Sequence, residues 1–172
     1  VDTELKKIIA EMFELMYEQK GVGLAANQVD LPYRFFIINL ENDPQKSPEH
    51  VFLNPVISRR TGTVEAEEGC LSFPEIYAPV KRSAKVEISA YDLSGREINY
   101  KLDGFFARAV QHEYDHLEGI LFIDRLSLTT RMDVQPALDT LERNFHGDRE
   151  RGVIPEDRVI ASRLAELETL RT

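Results

Sequence analysis

His112-Glu113-Tyr114-Asp115-His116 places two imidazoles four residues apart with a carboxylate beside the first. On a helix that spacing sets both rings on one face, where they can hold one metal ion, and Glu113 then reaches an attacking water as general base. Two imidazoles leave a first shell incomplete, so a third ligand must come from elsewhere in the chain. A histidine three residues beyond a following glycine would supply it, and Gly119 is in place, but the ligand position holds Phe122, which cannot bind a metal. A carboxylate from a later helix is another source, with Asp139 and Glu142 as candidates, and would suit a zinc endopeptidase. Cys70 is a third: it is the chain's one cysteine, it sits in a link containing glycine and proline, and its thiolate is a soft ligand for the same ions. The pattern by itself leaves these open, together with a non-enzymatic reading in which the histidine pair is incidental.

The chain around these residues has 172 positions, 42% hydrophobic and 30% charged, enough for one compact domain with an appendage and inconsistent with disorder as its main state. Its 21 Lys and Arg against 30 Asp and Glu leave a net charge of −9, which repels phosphate backbones and anionic lipid. Direct nucleic-acid binding is therefore not expected. No stretch approaches the roughly 20 apolar residues of a membrane helix, so no membrane partner is expected either. A lone cysteine forms no internal disulfide, and a reducing compartment is its natural setting.

Several elements must bring the candidate residues together. Leu5, Ile8, Ile9, Met12, Phe13 and Met16 recur at helical steps, with Asp2 or Thr3 as cap and Gly21 as stop. Residues 21–28 are small and lack a helical period, and 33–40 read as a strand. After a polar loop at 41–49, strands are expected at 51–57, 61–67, 80–93 and 96–102, the last two joined by a Ser94-Gly95 turn. Residues 68–74 read as an irregular link or strand end. The histidine pair lies on a helix over 105–117, stopped by Gly119, and two further amphipathic stretches follow Ser127. The fold class is α+β: antiparallel strands around a central metal-binding helix, with N- and C-terminal helices.

Three segments, Gly21-Val22-Gly23-Leu24-Ala25-Ala26-Asn27-Gln28, Glu68-Gly69-Cys70-Leu71-Ser72 and Gln111-His112-Glu113-Tyr114-Asp115-His116-Leu117, occur in this order and resemble the three signature motifs of peptide deformylases. Residues 72–78 and Glu113-Tyr114 are closer to the plant-organelle-like branch than to the commonest bacterial form. The resemblance implies a metal-dependent hydrolase of N-terminal processing in protein biosynthesis, one that removes the formyl group from the formyl-methionine of new polypeptides and releases formate. It implies Cys70, His112 and His116 as ligands of one divalent ion, Fe²⁺ in preference to Zn²⁺, Ni²⁺ or Co²⁺. Glu113 is then the base, and the Gln28 amide and Leu71 N–H are the donors to the oxyanion. Val22 and Gly23, with Gly69 opposite, would pair with the substrate backbone, and Phe105 and Ala109 would line a methionine pocket with Val22; Glu68 and Tyr77 stand at its edge or behind the ligands.

Residues 1–145 are expected to form the catalytic domain and 146–172 a C-terminal helical extension. Family members carry a segment before the first helix, so an N-terminal part is expected to be missing from these residues. The stretch 126–172 holds seven arginines against nine acidic residues, which argues against a basic helix for ribosomal RNA and leaves only transient ribosome association. The expected location is the bacterial cytoplasm, or an organelle interior if a targeting segment has been removed.

Overall fold

The computed structural model describes residues 1–170. Helix α1 (Thr3–Glu18) is capped by the Asp2 carboxylate, which accepts from Leu5 N–H at 2.7 Å. It ends before Gly21: the left-handed residue after it is Lys20 (φ 56°), and Gly21 has no need of that conformation. Gly21 is small for another reason, because a Cβ there would lie 2.7 Å from the Leu71 side chain.

Five antiparallel strands form the main sheet, in the order β1 (Gly23–Ala25), β2 (Phe35–Ile38), β3 (His50–Thr61), β6 (Lys85–Tyr91), β7 (Glu97–Asp103). Both faces are covered, which explains why every residue of β2 is buried. Phe35 and Ile37 pack against Ile9, Met12, Phe13 and Met16 of α1. Phe36 and Ile38 face the other way, toward Ala107 and Val110 of helix α2 (Gly104–Leu117). Pro55 is accommodated in β3 because the register shifts between Leu53 and Val56, with Asn54 at φ 48°.

A separate hairpin, β4 (Val64–Cys70) with β5 (Phe73–Arg82), lies against the far side of α2. One expectation changes here and one open alternative is decided. Residues 80–93 are not one strand: β5 and β6 belong to different sheets, and the chain turns at Ser83, whose N–H and C=O are both bonded by the Gln111 side chain at 3.0 and 2.9 Å. The helix thus takes the hydrogen bonds that a continuing strand would have needed. Of the two readings of residues 68–74, the strand end holds: two strand ends are joined through Leu71 and Ser72. The register jumps from Gly69 opposite Tyr77 to Cys70 opposite Phe73, and Glu75 in the extra loop has φ 63°.

Helix α2 ends as the sequence predicts. Gly119 (φ 70°) donates to the His116 carbonyl and Ile120 to that of Asp115, a left-handed glycine closure. Beyond it, α3 (Leu128–Glu150) packs Leu138 against Ile76, Val80 and Phe122, and α4 (Asp157–Thr169) follows after a turn. The expected boundary between residues 145 and 146 lies inside α3. The α+β class, with antiparallel sheets around a central helix and helices at both ends, is what the chain adopts.

Candidate metal centre and active site

Cys70 at the end of β4 meets His112 and His116 of α2, and one ligand atom from each lies within 4.8 Å of the other two. The Cys70 Sγ is 3.3 Å from His116 Nε2. His112 has its Nδ1 bonded to Glu68 Oε2 at 3.1 Å, which leaves Nε2 as its free ligand atom. Burial pushes the Cys70 thiol up, but hydrogen bonds with His112 and His116 outweigh it and bring it down to about 5. Burial likewise pushes His112 down, and hydrogen bonds with Cys70 and Glu68 overturn that, lifting it to about 10. A thiolate beside an imidazolium is the protonated form of a site from which a cation displaces protons. One thiolate and two imidazoles with a cleft in front fit a four-coordinate ion that keeps one position open.

That cleft encloses about 490 Å³. It is lined by Val22, Gly23, Gln28, Gly69, Cys70, Leu71, Phe105, Ala109, His112 and Glu113, so the candidate residues other than His116 share one cavity and His116 adjoins it through Cys70. Glu113 is buried, and its Oε2 has no hydrogen-bond partner. Burial pushes its carboxyl up to about 7. Gly23 makes room for it: a Cβ on Gly23 would lie 2.8 Å from the Glu113 carboxyl carbon. A Cβ on Gly69 would lie 2.6 Å from the Tyr77 ring, so the exposed Tyr77 forms a wall over the β4 backbone.

Gln28 is held in one orientation by its neighbours. Its Oε1 accepts from Ala25 N–H at 2.8 Å, so the amide nitrogen turns toward Cys70 Sγ, 3.7 Å away, and Ser72 Oγ, 3.0 Å away. The Leu71 N–H makes no turn or loop hydrogen bond among the described residues. Val22 and Gly23 are not equivalent. The Val22 carbonyl accepts from Asn39 at 2.9 Å, and the β1–β2 register then turns the polar groups of Gly23 to the open edge of the sheet. Ala109 is buried in the cleft wall, whereas Phe105 is 55% exposed at its mouth.

Behind Cys70, His112 and His116 lies an ionic network that the sequence does not announce. Glu68 accepts from Arg82 at 2.6 and 2.9 Å and from Arg108 at 2.5 Å. Arg82 also bonds Asp115 at 2.7 Å, and Asp115 takes a second guanidinium from Arg125. Burial pushes the Glu68 carboxyl up, yet hydrogen bonds from His112 and Arg82 hold it at about 2. Asn27 donates to the His116 carbonyl at 2.5 Å. The alternative ligands play no part: Asp139 and Glu142 are exposed on α3, where they contact Gln135 and His146.

The family model described as polypeptide deformylase matches residues 1–132. The chain belongs to that family. Peptide deformylase of Rhodopirellula baltica is 45% identical over all 172 residues and 86% of its own length. The chloroplastic peptide deformylase 1B of Oryza sativa is 42% identical over 145 residues, 84% of this chain and 54% of that protein. Among solved structures, a plant peptide deformylase PDF1B superposes with a TM-score of 0.84 at 38% identity, covering 91% of this chain and 84% of its own. Members of the family occur in bacteria and in plant organelles, and no helix among the described residues is long and apolar enough to cross a membrane. The activity is metal-dependent hydrolysis of the formyl amide of N-formyl-methionine peptides, a processing step on newly made polypeptides. An endopeptidase with a carboxylate third ligand is not favoured.

Proposed function

We propose that Cys70, His112 and His116 hold the metal, that Glu113 moves the proton, and that Gln28 and Leu71 stabilise the oxyanion during deformylation. The observation that carries this reading is the Glu113 carboxylate, buried and unpartnered within the same cleft as the thiolate and imidazoles. A divalent ion held by the three ligands supplies Lewis acidity at the open position. Glu113 takes a proton from the attacking water and returns it to the amine nitrogen as the C–N bond breaks, leaving formate and a free α-amino group. A carboxyl near pH 7 suits both halves of that exchange. The Gln28 Nε2–H and the Leu71 N–H donate to the oxygen of the tetrahedral intermediate. Glu68, fixed by Arg82 and Arg108, holds the His112 ring with Nε2 toward the metal position.

The substrate enters as an extended strand between the open edge of β1 at Gly23 and the edge of β4 at Gly69, with its methionine side chain against Val22, Ala109 and Phe105. Fe²⁺ is the working ion and Zn²⁺, Ni²⁺ or Co²⁺ occupy the same donors; thiolate and imidazole accept all four. Residues 1–145 carry the activity and 146–172 form an extension, of which 171 and 172 lie outside the described residues. The enzyme works in the bacterial cytoplasm or an organelle interior and meets the ribosome transiently if at all. Cys70→Ala tests the ligand set: anaerobically prepared protein should lose nearly all bound metal and formate release. An alanine variant that keeps one tightly bound ion and full turnover removes Cys70 from the site.

A further inference from the structure

On the side of α2 away from the cleft, a second cavity of about 220 Å³ is lined by Arg60, Thr63, Lys81, Arg82, Ser83, Gln111, Asp115 and Arg125. Its charge runs against that of the molecule. The chain carries −9 overall, yet four cationic side chains and a single carboxylate line this cavity. Adding the buried pair behind it, Arg108 and Glu68, does not restore the balance: Arg82, Arg108 and Arg125 share two carboxylates, Glu68 and Asp115. Lys81 reaches only the exposed Glu65, at 3.9 Å. Arg60 makes no ion pair or hydrogen bond among the described residues and stands over the Tyr114 ring at 5.9 Å.

The donors that remain are those an oxyanion needs. Arg125 spends Nε and Nη2 on Asp115 and keeps Nη1. The hydroxyls of Thr63 and Ser83 also make no hydrogen bond among the described residues. Arg82 cannot move to meet a ligand, since Glu68 and Asp115 fix it with side-chain exposure of only 2%. A rigid guanidinium floor, the unpaired Arg60, the weakly paired Lys81, the spare Nη1 of Arg125 and two hydroxyls around a concave space form a built receptor for a compact, multiply charged anion. A long polyanion fits less well, because the chain carries −9 overall and would repel phosphates that extend beyond the cavity.

We propose that this cavity binds a small tetrahedral dianion of the phosphate class, held by Arg60, Lys81 and Arg125 over the Arg82 floor. The probe is inorganic phosphate titrated calorimetrically into the full Zn²⁺-loaded chain at fixed ionic strength, with chloride as control. One saturable equivalent is expected, together with a phosphate-dependent rise in thermal midpoint. Arg60→Gln with Lys81→Gln should weaken binding at least about tenfold while formate release stays within about twofold of the parent, and Arg60→Lys should retain most of the affinity. Circular dichroism of the free double variant confirms that it is folded. No saturable binding, or binding that the double variant leaves unchanged because phosphate sits at the catalytic metal, overturns the proposal. A short oligoribonucleotide that displaces phosphate and binds more tightly overturns the assignment to a small ion.

Discussion

Helices α2 and α4 are nearly equal in length, fourteen and thirteen residues, and are used in opposite ways. Nine residues of α2 are buried, five of them Arg108, Gln111, Glu113, Asp115 and Glu113's neighbour His112, with His116 a sixth polar group. None of α4 is. Burying so much polarity is costly unless the groups are paired, and for all but Glu113 the β4–β5 hairpin and the Ser83 turn supply the pairing, through Cys70, Glu68, Arg82, the carbonyls of Val64 and Val80, and the Ser83 backbone. Helix α4 touches the body through an exposed ion pair, Arg163 with Asp30 at 2.8 Å, and a hydrogen bond from Tyr33 to the Leu167 carbonyl at 3.2 Å. The catalytic helix is thus held by buried charge and the terminal one by surface charge. The first is expensive to disturb and the second is not.

The largest test of this contrast is Arg82→Met, which removes the shared partner of Glu68 and Asp115 and leaves both carboxylates buried. The expected cost is about 3–5 kcal/mol of stability by urea denaturation. A loss below about 1 kcal/mol would show that the network does not hold α2 in place. Removing residues 156–172 should do far less. Exposed pairs contribute about 0–1 kcal/mol each, so the thermal midpoint should fall by only a few degrees and formate release should stay within about twofold. A large loss of turnover in the folded truncation would mean that α4, through Asp30 at the end of the Gln28 turn, helps to position that amide.

The smallest effect is one of pH. At the α3–α4 junction the Arg149 guanidinium bonds Asp157 at 2.5 Å and holds its carboxyl below the ordinary range. A depressed carboxylate adds stability above its unfolded value and loses it as pH falls through the folded one. The protection factors of α4 amides, corrected for intrinsic exchange, should therefore fall below about pH 4, and added salt should lower them at neutral pH, while those of α2 respond to neither. Equal responses in both helices would erase the distinction.

The sequence made the reactive groups legible because their chemistry depends on type and spacing: His112, Glu113 and His116 share a helical face, and Cys70 is the one thiol. The supporting network was less visible. Arg82, Arg108 and Asp115 are charged, and such residues usually mark solvent, so only the hairpin's return over α2 reveals them as interior. The sequence leaves Glu68 between the pocket edge and a place behind the ligands that the resemblance implies, and in the structure it both lines the cleft and bonds His112. The break at Ser83 escaped because alternation runs on through Val86 and Ile88, and the side chain that ends the strand, Gln111, is 28 residues away. Gly21 reads as a helix stop, and its N–H does close α1 on the Met16 carbonyl at 2.9 Å, but what demands a glycine is Leu71 across the cleft.

Deformylation by this site depends most heavily on Glu113 moving a proton without holding the metal. Glu113→Gln preserves the shape and removes the base, so metal content, affinity for a formyl-methionyl peptide and formate release should be measured on one preparation. About one ion per chain, substrate binding close to the parent's, and a loss of turnover of at least about 10²–10⁴-fold are expected. A variant that turns over normally, or that is inactive only because its metal is gone, would contradict that role for Glu113.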